Sequence, residues 1–186
     1  MPRIRVIDYA EAEGRLKEIY DDIIQKRKQL AEVHKIQSLR PESIVKHIDL
    51  YMEIMFSKSS LSRAEREMMA VVVSVTNRCT YCQKHHGEAL NHYWKDENRL
   101  KALKKDIYSA GLSLREIKLC EFARTLTANP GKHEKTDHTY LLKDAGIGEA
   151  GILDAVLVVA YFNFVNRIVL SLGVELEENH GKGYKY

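Results

Sequence analysis

The 186-residue chain carries 29 Lys and Arg against 26 Asp and Glu, with 45% hydrophobic and 30% charged residues. That balance describes a globular chain long enough to bury a core and excludes a disordered or low-complexity one. No apolar run approaches the about 20 residues of a membrane span, MPRIRVIDYAEAEG holds no apolar secretory core, and the basic run QKRKQ (25–29) has no interleaved aromatics, so neither membrane nor nucleic acid is an expected partner.

Three prolines, ten glycines and persistent 3.6-residue periodicity predict an all-α chain forming one domain over 1–186. Residues 1–40 form an N-terminal helix or arm within it, and 174–186 a tail. Ala12, Leu16, Ile19, Tyr20 and Ile23 make one stripe, predicting a first helix from about Tyr9 to Leu30. Pro41 opens a second, with Ile44, Ile48, Tyr51, Met52 and Met55 on its apolar face. Ser62 and Glu65 form a capping box for a third, running to about Thr76. The β-branched VVVSVT (71–76) competes for strand there, but the cap and the lack of partner strands favour helix.

Asn77 then serves as N-cap for a helix through Tyr93, followed by a polar stretch His92–Arg99. Ser113 and Glu116 repeat the capping box for a helix ending before Asn129-Pro130-Gly131. Thr136 caps a short helix to about Lys143, Gly146 ends it, and a long apolar helix spans about Glu149 to Leu172 with Gly173 as its stop.

The chemistry concentrates in NRCTYCQKHH (77–86), which holds two of the three cysteines and two of the eight histidines. Cys79, Cys82 and His86 fall on one helix face, while His85 lies one position off it. With antiparallel helices on either side of the turn, Glu67, ten positions before Asn77, faces His86, nine after it. A thiol of pKa near about 8.5 gains thiolate character at a helix N-terminus beside a histidine. Glu67 behind His86 would set the imidazole tautomer and keep it basic, giving a Glu67–His86–Cys82 relay with Cys79 placed to close a disulfide. Three readings stand at this point: a redox pair, a zinc site of Cys79, Cys82, His86 and Glu67, and two small buried residues. Zinc lacks the second Cys or His pair that structural sites draw on. With three cysteines and no export signal, a cytoplasmic, reducing setting is expected. Cys120, alone on an apolar face, reads as packing. Asn163 and Asn166 read as helix–helix hydrogen-bonding groups, and His34, His47, His92, His133, His138 and His180 show no ligand spacing.

EREMMAVVVSVTNRCTYCQKHH resembles the alkylhydroperoxidase-D-like (AhpD-like) branch of the carboxymuconolactone decarboxylase superfamily. That branch's pattern of Glu, eleven residues, Cys-x-x-Cys, three residues and His falls on Glu67, Cys79, Cys82 and His86. AYFNFVNRIVLSLGVELEE (160–178) and LSLREIKLCEFARTLTANP look like its peroxidase-related subgroup, so the resemblance runs over about 40 to 178.

The resemblance implies an AhpD-like helical bundle assembled as a homotrimer or homohexamer, acting on a hydroperoxide, with no cofactor and no metal. In it Cys82 attacks peroxide, Cys79 resolves, Glu67 and His86 relay protons, and an external dithiol reduces the disulfide. Tyr81 departs from the pattern: the best-studied members keep a relay histidine there, and a phenol is no base at neutral pH. Water or a Tyr81 hydrogen bond takes that place, with His85 as a further accessory. Two alternatives remain: a non-catalytic redox-sensing or zinc-binding oligomer, and lactone decarboxylation, which has no need of a CxxC.

Overall fold

The structure is a computed structural model describing residues 1–178. Residues 179–186, with His180 and most of the expected 174–186 tail, lie outside them. Among the described residues every regular element is helical: α1 (Gly14–Arg27), α2 (Glu32–Lys35), α3 (Pro41–Phe56), α4 (Arg63–Thr76), α5 (Thr80–Trp94), α6 (Glu97–Lys105), α7 (Leu114–Ala128), α8 (Lys132–Lys135), α9 (Tyr140–Asp144) and α10 (Glu149–Leu172), with short 3-10 turns at Tyr9–Glu11 and Ile107–Ser109. The all-α expectation holds, and VVVSVT is helix.

Helix α4 is the centre. Both arms of its capping box form: the Glu65 N–H donates to Ser62 Oγ, and the Ser62 N–H donates to Glu65 Oε2. Residues Arg66 to Ser74 are all buried, because α5, α7 and α10 pack around this helix. Its Met68, Met69 and Val71 meet Leu119, Phe122, Val158 and Phe162 in the main core, each large side chain contributing about 1.5–3 kcal/mol by leaving water. A smaller cluster joins Leu16, Ile19, Tyr20 and Ile23 of α1 to Ile44 of α3. Helix α10 is long and apolar enough by composition to cross a membrane. Here its Ala155, Val158, Val159, Phe162 and Val169 face is buried against α4 and α7.

Several boundaries differ from expectation. The first helix starts at Gly14 rather than Tyr9, because Ala12 and Glu13 are extended and Gly14 takes φ +50°. It stops at Arg27, where Lys28 is left-handed. Helix α6 lies beyond the polar stretch, nucleated by Asp96, whose carboxylate accepts the N–H groups of Asn98 and Arg99. Thr136 ends α8 instead of capping the next helix. Asn77 is the C-cap of α4, and Cys79 is the N-cap of α5. The turn between them is tight: Arg78 adopts φ +57°, and the N–H groups of Asn77, Arg78 and Cys79 donate to Val73, Val75 and Ser74 carbonyls.

Candidate active site

That turn sets α4 and α5 antiparallel and brings Glu67 opposite His86, with Glu67 Oε2 2.7 Å from His86 Nδ1. Glu67 is fully buried, and its other oxygen lies 2.6 Å from the Arg63 guanidinium. Burial works against the Arg63 charge and Glu67 more than offsets it, so Arg63 is raised. Arg63 is further held by the Met55 carbonyl at 2.9 Å and stacks 3.8 Å above the Phe56 ring. The carboxylate therefore sits between a permanent cation and an imidazole, and it accepts from Nδ1 when that nitrogen carries the proton. This leaves Nε2 as the nitrogen free to work. The His86 ring lies edge-on to Phe162 at 4.4 Å.

Cys79 and Cys82 are free thiols, both buried. Their protons divide unequally. A hydrogen bond from the Cys82 thiol, opposed by burial, holds Cys79 below the usual thiol range. That same bond, together with burial, drives Cys82 well above it, while a side-chain hydrogen bond with Asn166 pulls the other way. The bond between the two thiols thus favours ionisation of Cys79, at the helix N-cap, over Cys82. Access divides the other way: a cavity of about 80 Å³ is lined by Cys82 and His86, not by Cys79.

Tyr81 and His85 line the same cavity but belong to a second cluster. Tyr81 Oη donates to Glu177 Oε1 at 2.7 Å, and His85 Nε2 lies 2.8 Å from Glu177 Oε2. The Glu32 N–H also donates to this carboxylate, and the Val33 N–H to Tyr81 Oη. Burial pushes Glu177 upward, but His85, the Glu32 N–H and Tyr81 outweigh it and bring the carboxyl down to about 2. One carboxylate after α10 thereby ties α5 to α2. Tyr81 acts there as a hydrogen-bond donor.

The same cavity holds further residues that sequence spacing did not single out. His34, His47, Tyr51, Tyr161 and Arg27 line it. Burial, reinforced by Arg27, brings His47 down to about 4, and burial, with His47 next, lowers His34 well below its ordinary value. Arg63, four residues before Glu67, was open to detection by its i,i+4 spacing. The others come from separate helices with no local signature. Asn163 and Asn166 do hold helices together, both accepting from Asn77 Nδ2, and Asn166 additionally touches Cys82. Cys120 is fully buried, its thiol pushed up by that burial. Among the described residues, no group of three or more His, Cys, Asp or Glu is arranged to hold a metal ion.

Residues 44–103 match the model of the carboxymuconolactone decarboxylase family. None of the curated proteins compared matches the chain. Among solved structures, the chain is similar to an uncharacterized peroxidase-related protein with the alkylhydroperoxidase AhpD core from Ralstonia eutropha JMP134 (21% identity, 99% of this chain and 98% of that one, TM-score 0.85). It is equally close in shape to an uncharacterized peroxidase-related protein from Silicibacter sp. TM1040 (24% identity, 99% and 98%, TM-score 0.84). The debrominase Bmp8 shares the fold at 18% identity (94% and 92%, TM-score 0.77). The family match spans the stretch from Glu67 to His86, the fold match spans nearly the whole chain, and the protein therefore has the fold of these AhpD-core, peroxidase-related structures.

Proposed function

We propose that the protein is a thiol-dependent peroxidase reducing small hydroperoxides through Cys82 and Cys79. The observation that carries this reading is the cavity that reaches Cys82 and His86, while Cys79 is fully buried and does not line it. Its volume of about 80 Å³ suits hydrogen peroxide or a short alkyl hydroperoxide.

The hydrogen bond between the two thiols lowers Cys79 and raises Cys82, so Cys82 needs a base to become the nucleophile. As peroxide arrives, His86 takes the Cys82 proton on Nε2 and Cys82 becomes the thiolate. Its sulfur attacks the terminal peroxide oxygen: an S–O bond forms, the O–O bond breaks, and the electron pair leaves on the other oxygen. Cys82 is oxidised to the sulfenic acid while the hydroperoxide is reduced to an alkoxide. The alkoxide takes a proton from the His86 imidazolium, whose charge Glu67 balances across 2.7 Å. The Cys79 thiol then condenses with the sulfenic acid, releasing water and leaving the disulfide, and an external dithiol reduces it by exchange.

Assembly as a homotrimer or homohexamer is part of the proposal. It is supported by Leu153, Leu157 and Phe164, which leave an exposed apolar strip along α10. The functional test is dithiol-dependent consumption of hydrogen peroxide. The native protein should turn over and Cys82→Ser should not; normal turnover by Cys82→Ser would rule the assignment out.

A further inference from the structure

The lining of the cavity that reaches Cys82 contains a directed hydrogen-bond chain that ends on a hydroxyl. Gln37 Nε2 is 2.8 Å from the Val33 carbonyl, which only accepts, so this end of the amide is the NH2 group. The same nitrogen is 2.7 Å from His47 Nδ1, which must therefore accept. A neutral His47 then carries its proton on Nε2 and donates it to Tyr161 Oη, 2.7 Å away. His47 is kept neutral by burial and by the nearby Arg27 cation. The chain runs in one direction, from α3's approach through α3 to α10.

At its end, Tyr161 Oη has its acceptor role filled, and its own proton meets no acceptor among the described residues. Tyr161 is buried at 5% exposure and lines the same cavity as Cys82. A buried phenol whose O–H is left unspent is costly unless something in the cavity receives it. Beside it, His34 Nδ1 is likewise buried and without a partner, and it belongs to the same wall. The lining thus offers polar groups to a guest in the cavity that Cys82 also lines.

We propose that Tyr161 is a catalytic hydrogen-bond donor to the leaving oxygen of the hydroperoxide, and that His47 and Gln37 are the residues that position it. The proposal rests on the peroxidase reading. When Cys82 attacks the terminal oxygen, negative charge develops on the oxygen beyond it, and a donor fixed in advance stabilises that charge without reorganising. Tyr161 keeps its proton throughout. The proton that neutralises the alkoxide still comes from His86, and His47 Nε2–H supports Tyr161 by donating to its oxygen.

The test compares two reactions of Cys82 in the full-length reduced protein. One is oxidation by hydrogen peroxide and by a series of short alkyl hydroperoxides. The other is alkylation by iodoacetamide, followed by peptide mass, which leaves no alkoxide to stabilise. Tyr161→Phe should slow the peroxide reaction by about 10- to 100-fold, the value of one hydrogen bond to a developing charge. It should leave alkylation within about twofold, since the thiol's own neighbours are untouched. The peroxide rate of Tyr161→Phe should also depend more steeply on leaving-group basicity than that of the native protein. Gln37→Met, which leaves the phenol in place but frees His47, should give a smaller loss in the same ratio. Equal loss in both reactions, or none in either, overturns the role of Tyr161. If the native protein is alkylated normally but no peroxide oxidises it, the peroxidase reading itself fails and takes this proposal with it. Should Tyr161→Phe not fold, the ratio measured on Gln37→Met decides: a ratio equal to the native one refutes the chain.

Discussion

Glu67→Gln keeps the shape of the side chain and removes one charge from a fully buried position. The carboxylate accepts at 2.7 Å from His86 Nδ1 and pairs at 2.6 Å with Arg63, whose side chain is 12% exposed. Removing one partner of a buried ion pair typically costs about 3–5 kcal/mol, because the other charge stays behind in a poor solvent. Arg63 would keep the Met55 carbonyl, the Tyr51 hydroxyl and the Phe56 ring, which lowers the penalty. The expected loss is therefore about 2–4 kcal/mol. Urea unfolding at pH 7 measures it, with an unchanged slope showing that the unfolding reaction is the same. Adding Arg63→Met should recover part of the loss, so that the double variant is at least about 1 kcal/mol better than additivity. A Glu67→Gln variant within about 0.5 kcal/mol of the native protein, or strictly additive losses, would refute the charged pair. The same variant should slow peroxide reduction, since nothing then balances an imidazolium at His86.

Acid should destabilise the fold in two stages. The ordinary value of His47 is 6.5 and its folded value about 4, so between them the unfolded chain binds more protons. Stability should be full above pH 6.5 and fall by up to about 3 kcal/mol on the way to pH 4 from this residue, and His47→Gln should flatten that limb. Glu177, at 4.5 ordinarily and about 2 when folded, adds a loss that begins below pH 4.5, and Glu177→Gln should remove it. Urea midpoints measured between pH 7 and pH 3 check both. Away from the site, Gly151→Ala would place a Cβ 2.3 Å from Ser60 Oγ and 2.7 Å from Ile147 Cγ2. It should cost about 1–3 kcal/mol in urea unfolding and leave the alkylation rate of Cys82 unchanged.

The parts of the site legible in the sequence are those set by short-range geometry. Glu67 and His86 are nearly equidistant from one turn, so two antiparallel helices suffice to make them face each other. The capping boxes at Ser62 and Ser113 depend only on a three-residue spacing, and both form. Helix α6 was missed because its buried set is only Leu100 and Leu103 and its start rests on one Asp96 cap. The division of charge between Cys79 and Cys82 is a tertiary effect. Helix position favours thiolate at either residue, but burial and the bond to Cys79 raise Cys82, opposed only by Asn166 from α10. Gln37, His47, Tyr161 and Glu177 come from distant segments, and no spacing rule brings 47 to 161 or 81 to 177.

The central claim is that Cys82 is the sulfur that meets peroxide and Cys79 the one that closes the bond. Peptide mass mapping after one equivalent of hydrogen peroxide, with a dimedone-type trap for sulfenic acid, tests it directly. The native protein should yield the Cys79–Cys82 disulfide, Cys79→Ser should carry the trapped adduct on Cys82, and Cys82→Ser should leave Cys79 unoxidised. An adduct on Cys79 in Cys82→Ser, formed as fast as the native disulfide, would contradict the account.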